Sequence, residues 1–216
     1  MEIGTLIREL GGGMWISAEI FILTLLFSLP LGLVVAFGRM SKIAPVRWIS
    51  KLYISIMRGT PLMLQLMVVY FGPYYLFRIK VGSGYRLWAT FIGFVINYAA
   101  YFAEIYRSGI QSMPVGQYEA AQILGYSRFQ TFFKIILPQV IKRILPSVTN
   151  EVITLVKDTS LAFTLSVAEM FSIAKALAAS QTNMIPFVAA GLFYYIFNLV
   201  VAVGMEWVEK KMDYYR

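Results

Sequence analysis

The chain has 216 residues, of which 59% are hydrophobic and only 14% are charged, and its mean hydropathy is +0.69. Soluble domains carry about 25% charged and about 45–50% apolar residues, so this composition leaves too little polar surface for a water-soluble fold. Cysteine and histidine are both absent, which excludes disulfides, thiolate catalysis and histidine-based metal sites. We therefore predict an all-α integral membrane protein without a cofactor.

The formal net charge is +8, from 19 Lys and Arg against 11 Asp and Glu. In a soluble protein such an excess would indicate a nucleic-acid partner. Here the charges form short clusters between long apolar windows, a distribution that holds cytoplasmic loops against anionic lipid headgroups. We expect the lipid bilayer, and no nucleic acid, as a partner.

The first ten positions predict a short interfacial helix at the membrane surface, because their apolar residues share one helical face. These residues are Ile3, Leu6, Ile7 and Leu10. Gly11-Gly12-Gly13 would then let the chain turn into the first apolar window, at about 15–38. At about 1.5 Å rise per residue, some twenty residues cross a hydrocarbon core of about 30 Å.

Four further apolar windows follow, so we predict about five transmembrane helices in one domain, residues 1–216. They lie at about 52–77, 87–106, 140–177 and 186–208. The second is interrupted by Arg58-Gly59-Thr60-Pro61 and the fourth by Lys157-Asp158-Thr159-Ser160. Residues 109–138 are too polar to span and are predicted to form an extended loop with its own helices.

The distribution of basic residues predicts the topology. With the N-terminus outside, thirteen basic residues fall on the cytoplasmic side: Arg39, Lys42, Arg47, Lys51, Arg58, Arg107, Arg128, Lys134, Lys142, Arg143, Lys210, Lys211 and Arg216. Five fall outside: Arg8, Arg78, Lys80, Arg86 and Lys175. This bias satisfies the positive-inside rule and predicts a multi-pass protein of the cytoplasmic membrane, with the 109–138 loop and the C-terminus in the cytoplasm.

The predicted loop carries a long motif. Glu119-Ala120-Ala121 is followed after three residues by Gly125 and, after nine more, by Ile135, any residue, Leu137 and Pro138. This resembles the EAA loop of importer-type ABC (ATP-binding cassette) permeases at every defined position. Further segments resemble the histidine, glutamine, glutamate and arginine uptake group of these permeases: Arg58-Gly59-Thr60-Pro61, Ala103-Glu104, Gly116-Gln117-Tyr118, Pro138-Gln139 and Lys157-Asp158-Thr159-Ser160-Leu161.

The resemblance implies a five-helix core that pairs with a second permease subunit, identical or related. It also implies two ATPase subunits and usually an external substrate-binding protein, with a polar amino acid as substrate. The chain has no Gly-x-x-x-x-Gly-Lys-Ser/Thr phosphate loop. We therefore expect ATP hydrolysis on a partner subunit and no enzymatic activity of this chain.

The residues of the loop agree with a coupling role. Pro114 can begin a helix, because a missing N–H costs nothing at the first turn, and Gly125 is placed to end it. Such a helix would dock on the ATPase as a rigid lever, with Glu119 pairing a basic residue and the alanines allowing close approach. The predicted coupling residues are Gly116, Tyr118, Glu119, Ala120, Ala121, Leu124 and Gly125.

Polar residues at membrane depth are expensive, so each needs a partner or a water-filled cavity. They fall at helical spacing in the third and fourth windows. The candidate substrate ligands are Asn97, Tyr101, Glu104, Glu151, Thr154, Lys157 and Asp158, with Gln65 in the second window. Carboxylates suit the ammonium group of an amino acid or a basic side chain, and Lys157 or free N–H groups at the helix break suit its carboxylate.

The alternative is that these residues pair with each other and hold the helices together. For Lys157 and Asp158 we favour this internal pairing, and we interpret Arg58 as a cytoplasmic anchor. An ion-coupled secondary transporter would also place carboxylates at membrane depth, but five spans do not divide into equal repeats. A membrane enzyme would lack His, Cys and metal ligands, and a scaffold would leave the loop motif unexplained.

Overall fold

The computed structural model describes residues 3–82 and 84–212, and all regular secondary structure within them is helical. This confirms the predicted all-α class. Arg216, counted above among the inner basic residues, lies outside the described residues. The helices are α1 (Ile3–Met40), α2 (Ala44–Gly59), α3 (Leu62–Phe77), α4 (Tyr85–Gln111), α5 (Val115–Ile123), α6 (Arg128–Gln130), a π-helix (Thr131–Ile136), α7 (Leu137–Asp158), a 3₁₀ helix (Thr159–Leu165), α8 (Met170–Gln181) and α9 (Ile185–Lys211).

Three of these helices, α1, α4 and α9, are each long and apolar enough to cross a bilayer alone. Two bent pairs of helices are long and apolar enough only when each pair is taken together. Helices α2 and α3 meet at 113°, and the segment Arg128–Leu165 meets α8 at 59°. Counting each bent pair as one span gives five, which agrees with the five apolar windows of the sequence.

The predicted N-terminal interfacial helix is wrong, because its residues form the first three turns of α1 without a break. Leu6 and Leu10 are buried in a cluster with Met170 and Ala174 of α8 and Ala190 of α9. This burial offsets the roughly 1 kcal/mol that each interior glycine costs a helix. Tertiary packing therefore keeps the glycine run helical.

Gly13 has a packing role that its neighbours lack. A Cβ atom at this position would lie 2.7 Å from the Cα and 2.9 Å from the backbone nitrogen of Met170, whereas one at Gly12 would meet nothing within 4 Å. Only glycine lets α1 approach α8 so closely, since a backbone neighbour cannot rotate away.

We expect Gly13→Ala to destabilise the protein by about 1–3 kcal/mol, the usual cost of overpacking. Gly12→Ala is the matched control on the same helix, and we expect it to be neutral or slightly stabilising, because alanine favours helix. Thermal unfolding of both variants in the same detergent measures the difference. Equal midpoints for the two variants would contradict the close contact between α1 and α8.

Small side chains also line the contact between α1 and α4. Thr24, Ser28 and Ala36 of α1 are fully buried. A Cβ at Gly32 would lie 2.8 Å from the Cβ of Phe102 and 3.0 Å from the carbonyl oxygen of Ala99. Helices in membranes use such small residues because they bring backbones into contact and increase van der Waals packing.

A buried carboxylate supports the second bend. Glu169 accepts hydrogen bonds at 2.7 Å from the backbone N–H groups of Phe171 and Ser172, and so caps the first turn of α8. The hydroxyl of Tyr194 on α9 donates to the same carboxylate at 3.1 Å. Glu169 therefore links α8 to α9, a role for which its single position in the sequence carried no signal.

The loop between α4 and α7 contains the helix predicted for it. α5 follows Pro114 and is closed by Gly125, whose φ of +79° is the left-handed conformation that glycine tolerates. Tyr126 N donates to the carbonyl of Ala121 and Gly125 N to that of Gln122, which forms a Schellman motif. The π-helix beyond it was not predicted. It precedes Pro138, which has no N–H to continue an α-helical ladder.

Candidate functional site

A cavity of about 440 Å³ lies among α2, α4 and α7. It is lined by Arg58, Tyr101, Glu104, Ile105, Arg107, Ser108, Gly109, Ser112, Arg143, Ile144, Ser147 and Glu151. Most of these side chains are polar, and the volume is within the range of small-molecule pockets. Three of the candidates from the sequence, Tyr101, Glu104 and Glu151, are thus brought to one cavity by two helices.

Glu104 is already paired inside the cavity. The guanidinium of Arg107, one turn along α4, donates from Nε to Glu104 Oε2 at 3.0 Å and from Nη2 to Glu104 Oε1. Arg107 also donates to Gln111. This two-bond ion pair compensates the charge of Glu104, so the carboxylate is less available to a cationic ligand than its position on the helix face predicted.

Glu151 is different. It lies half-buried on α7 in the same cavity and forms no hydrogen bond or ion pair within the described part of the chain. Leaving a partly desolvated carboxylate unpaired is costly, so such a group indicates a place for a cation or a hydrogen-bond donor.

Arg58 supplies the opposite charge. Its guanidinium carbon lies 5.3 Å from the ring centroid of Tyr101, in cation–π contact, and it forms no salt bridge within residues 3–82 and 84–212. Arg58 is exposed and lines the cavity, which adds it to the candidate ligands, and its interpretation as a cytoplasmic anchor stays a prediction. Arg58 on α2 and Glu151 on α7 interact electrostatically across the cavity but form no salt bridge among the described residues, so each keeps hydrogen-bonding capacity for a ligand.

Gln65 and Asn97 lie outside the cavity lining and close the break between α2 and α3. Pro61 has no N–H, so it cannot donate to the carbonyl of Met57 as a helical residue would. The side-chain amides replace that bond: Gln65 Nε2 donates to Met57 O at 2.9 Å and Asn97 Nδ2 donates to it at 3.2 Å. Asn97 also donates to Gln65 Oε1 at 2.8 Å, and Gln65 reaches the carbonyl and hydroxyl of Thr60. These contacts are the interhelical pairing that the sequence left open.

The remaining candidates on α7 point elsewhere. Asp158 accepts a hydrogen bond of 2.7 Å from the hydroxyl of Tyr98 on α4. Thr154 is exposed and donates to the carbonyl of Asn150. Lys157 is exposed and forms no salt bridge with Asp158 among the described residues. The expected internal pair of Lys157 and Asp158 is therefore replaced by a bond from a neighbouring helix.

The sequence analysis missed Arg143 and Ser147, which line the cavity from α7. A signal for them existed. Together with Glu151 they are spaced four residues apart, so all three share one face of the helix. The predicted set of ligands on this helix began at Glu151.

The predicted coupling residues divide into two sets. Gly116, Glu119, Ala120, Leu124 and Gly125 are exposed, whereas Tyr118 is half-buried and Ala121 is buried within its own chain. Ala121 therefore cannot offer a partner close approach, as the sequence had led us to expect. Large apolar side chains are exposed instead beside Glu119: Val115, Ile123, Leu124 and Phe129. An exposed apolar patch rimmed by polar residues is typical of a protein interaction surface.

Comparison with known proteins agrees with this architecture. Residues 28–214 match the family described as "Binding-protein-dependent transport system inner membrane component". The L-cystine transport system permease protein of Bacillus subtilis is 35% identical over 208 residues, covering 95% of this chain and 87% of the relative. The arginine transport system permease protein of the same organism is 35% identical over 201 residues, covering 93% and 90%. A solved structure described as an amino acid ABC transporter with histidines has a TM-score of 0.86 and 27% identity, covering 98% of this chain and 99% of that one.

Proposed function

Because the chain belongs to the family of binding-protein-dependent transport system inner membrane components, we propose that it is the permease subunit of an ATP-driven importer of polar amino acids. The observation that carries the proposal is the family match over 28–214. It is supported by relatives named for cystine and arginine transport. An ion-coupled carrier has no support from these relatives.

The cavity supports a polar substrate with separated charges. An amino acid carries a carboxylate and an ammonium group a few ångströms apart. Arg58 would bind the carboxylate, and Glu151 would bind the ammonium group. Tyr101 stacks against Arg58 and orients it. The available carboxylate also accommodates a cationic side chain, which extends the substrate class to basic amino acids.

The assembly would follow the family. A second permease would complete the translocation path, and of the two ATPase subunits one would bind the exposed surface of α5 in each permease. An external binding protein would deliver the substrate. The 109–138 loop would lie in the cytoplasm and the N-terminus outside. The excess of basic residues in the loops assigned to the cytoplasmic side supports this orientation.

Reconstitution tests the function directly. We expect proteoliposomes containing the chain, its partner ATPase and the binding protein to take up labelled L-arginine, L-glutamine or L-cystine when ATP is supplied on the ATPase side. Ionophores that abolish ion gradients should leave the uptake unchanged. Uptake that requires a gradient and ignores ATP would contradict an ATP-driven importer.

A further inference from the structure

Two glutamine side chains join α5 to α7 by a reciprocal pair of hydrogen bonds. Gln117 Nε2 donates to Gln139 Oε1 at 2.8 Å, and Gln139 Nε2 donates to Gln117 Oε1 at 2.9 Å. Gln139 Nε2 also donates to the carbonyl of Ile135 in the π-helix at 2.8 Å. Both side chains are half-buried. The pair therefore ties the first turn of α5, the π-helix and the first turn of α7 together.

An apolar cluster surrounds this amide pair. Met113, Ile136 and Val140 are buried together, and further apolar side chains pack against them: Ile110, Tyr118, Phe132, Ile135 and Ile144. These residues come from the end of α4, from α5, from the π-helix and from α7. The four segments thus share one small core beneath the membrane spans.

The crossing of α4 and α7 adds a rigid contact. A Cβ at Gly109 would lie 2.1 Å from Cγ2 of Ile144 and 3.3 Å from Cγ1 of Val140. Closely packed cores transmit displacement and do not deform continuously, so helices held this tightly move together.

We propose that the Gln117–Gln139 pair fixes α5 relative to α7, so that α5, the π-helix, α7 and the end of α4 move as one rigid body. This inference rests on the proposed function, in which an ATPase moves α5. The same body carries Glu151 on α7, whereas Arg58 stands on α2 and contacts Tyr101 in the earlier part of α4, outside it. Motion of α5 would then displace Glu151 relative to Arg58. Gln117 and Gln139 are positioning residues in this scheme, since neither lines that cavity.

The amide chemistry suits a fixed link. Each glutamine offers one donor and one acceptor to the other, so a single rotamer of each satisfies both bonds. Replacing one glutamine by an apolar residue leaves the other amide half-buried without its partner, which costs more than the bond itself contributes. Replacing the two glutamines by side chains of opposite charge and similar length, glutamate and lysine, restores the link.

The test compares three variants of the full complex. We expect Gln117→Leu to raise the number of ATP molecules hydrolysed per amino acid transported about fivefold. The double variant Gln117→Glu/Gln139→Lys should bring the ratio back towards that of the unmodified protein. Glu206→Leu, on α9 and outside the loop between α4 and α7, should leave the ratio unchanged. An unchanged ratio in Gln117→Leu would overturn the proposal.

Cross-linking tests the rigid body itself. The chain contains no cysteine, so Gln117→Cys/Gln139→Cys provides the only two thiols for a short bis-thiol reagent. The substitutions remove the amide pair, so before linking we expect the raised ratio of ATP to transported amino acid that is expected for Gln117→Leu. Linking should lower this ratio, because the two positions do not separate during the cycle. A ratio that linking leaves unchanged or raises further would overturn the proposal.

Hydrogen–deuterium exchange of the permease alone provides a readout that does not depend on transport. Gln117→Leu should speed amide exchange in α5 and leave α8 unchanged, since the link holds α5 to the spans. Absence of ATP-driven uptake by the unmodified protein would refute the proposed function. Unchanged exchange in α5 would refute the amide link on its own.

Discussion

Glu151→Gln is expected to reduce ATP-driven uptake by about tenfold to a hundredfold while the protein remains folded and bound to its ATPase. A hydrogen bond to a charged group contributes about 1.5–3 kcal/mol, and each 1.4 kcal/mol is a factor of ten. Glutamine keeps the size of the side chain and removes the charge that would bind an ammonium group. Initial uptake rates at several substrate concentrations measure the effect.

Glu104→Gln is the matched control for this prediction. It lies in the same cavity, but its carboxylate is held by two bonds from Arg107. We expect a smaller loss of uptake from Glu104→Gln than from Glu151→Gln, together with lower thermal stability, because the change leaves Arg107 partly unpaired. Equal transport defects in the two variants would contradict the division between a paired and an available carboxylate.

Glu119→Lys is expected to abolish coupling between ATP hydrolysis and uptake. Glu119 is exposed on α5 and has no ion pair in the described part of the chain, so it is available to a basic residue of the ATPase. Charge reversal would place two like charges together at the proposed interface, which costs several kcal/mol. Substrate-stimulated ATPase activity and uptake in the same proteoliposomes measure the loss.

A charge reversal elsewhere separates this effect from general damage. Glu206 is exposed on α9, where it pairs with Lys210 at 2.7 Å. Because an exposed pair contributes little to stability, Glu206→Lys should leave both coupling and uptake near those of the unmodified protein. Full coupling between ATP hydrolysis and uptake in Glu119→Lys would show that α5 is not the contact with the ATPase.

The spans could be predicted from hydropathy because the bilayer demands about twenty apolar residues in each. The local geometry of the spans could not be predicted from hydropathy. The triple glycine indicated a turn, but burial of Leu6 and Leu10 against α8 keeps the helix straight through it. Pro61 marked the interruption of the second span, but it did not indicate the 113° bend or the bonds that Gln65 of α3 and Asn97 of α4 make to the Met57 carbonyl there.

The candidate site shows the same limit. Asn97, Tyr101 and Glu104 were correctly placed on one face of α4, because helical spacing alone determines this. The neighbouring helix determines what each residue does. Near the middle of α4 this face meets the broken span, so the Asn97 amide donates its hydrogen bonds to Gln65 and to the carbonyl of Met57. Further along, the same face opens into the cavity with Tyr101 and Glu104.

The break between α2 and α3 also has an electrostatic consequence. The amides of Gln65 and Asn97 neutralise the negative dipole end of α2 by donating to its last carbonyls. Among the described residues no side chain caps the first turn of α3, so its N-terminus retains roughly half an elementary positive charge. Arg58 stands in the last turn of α2 beside it. A substrate carboxylate near Arg58 would therefore be attracted by this helix terminus as well as by the guanidinium.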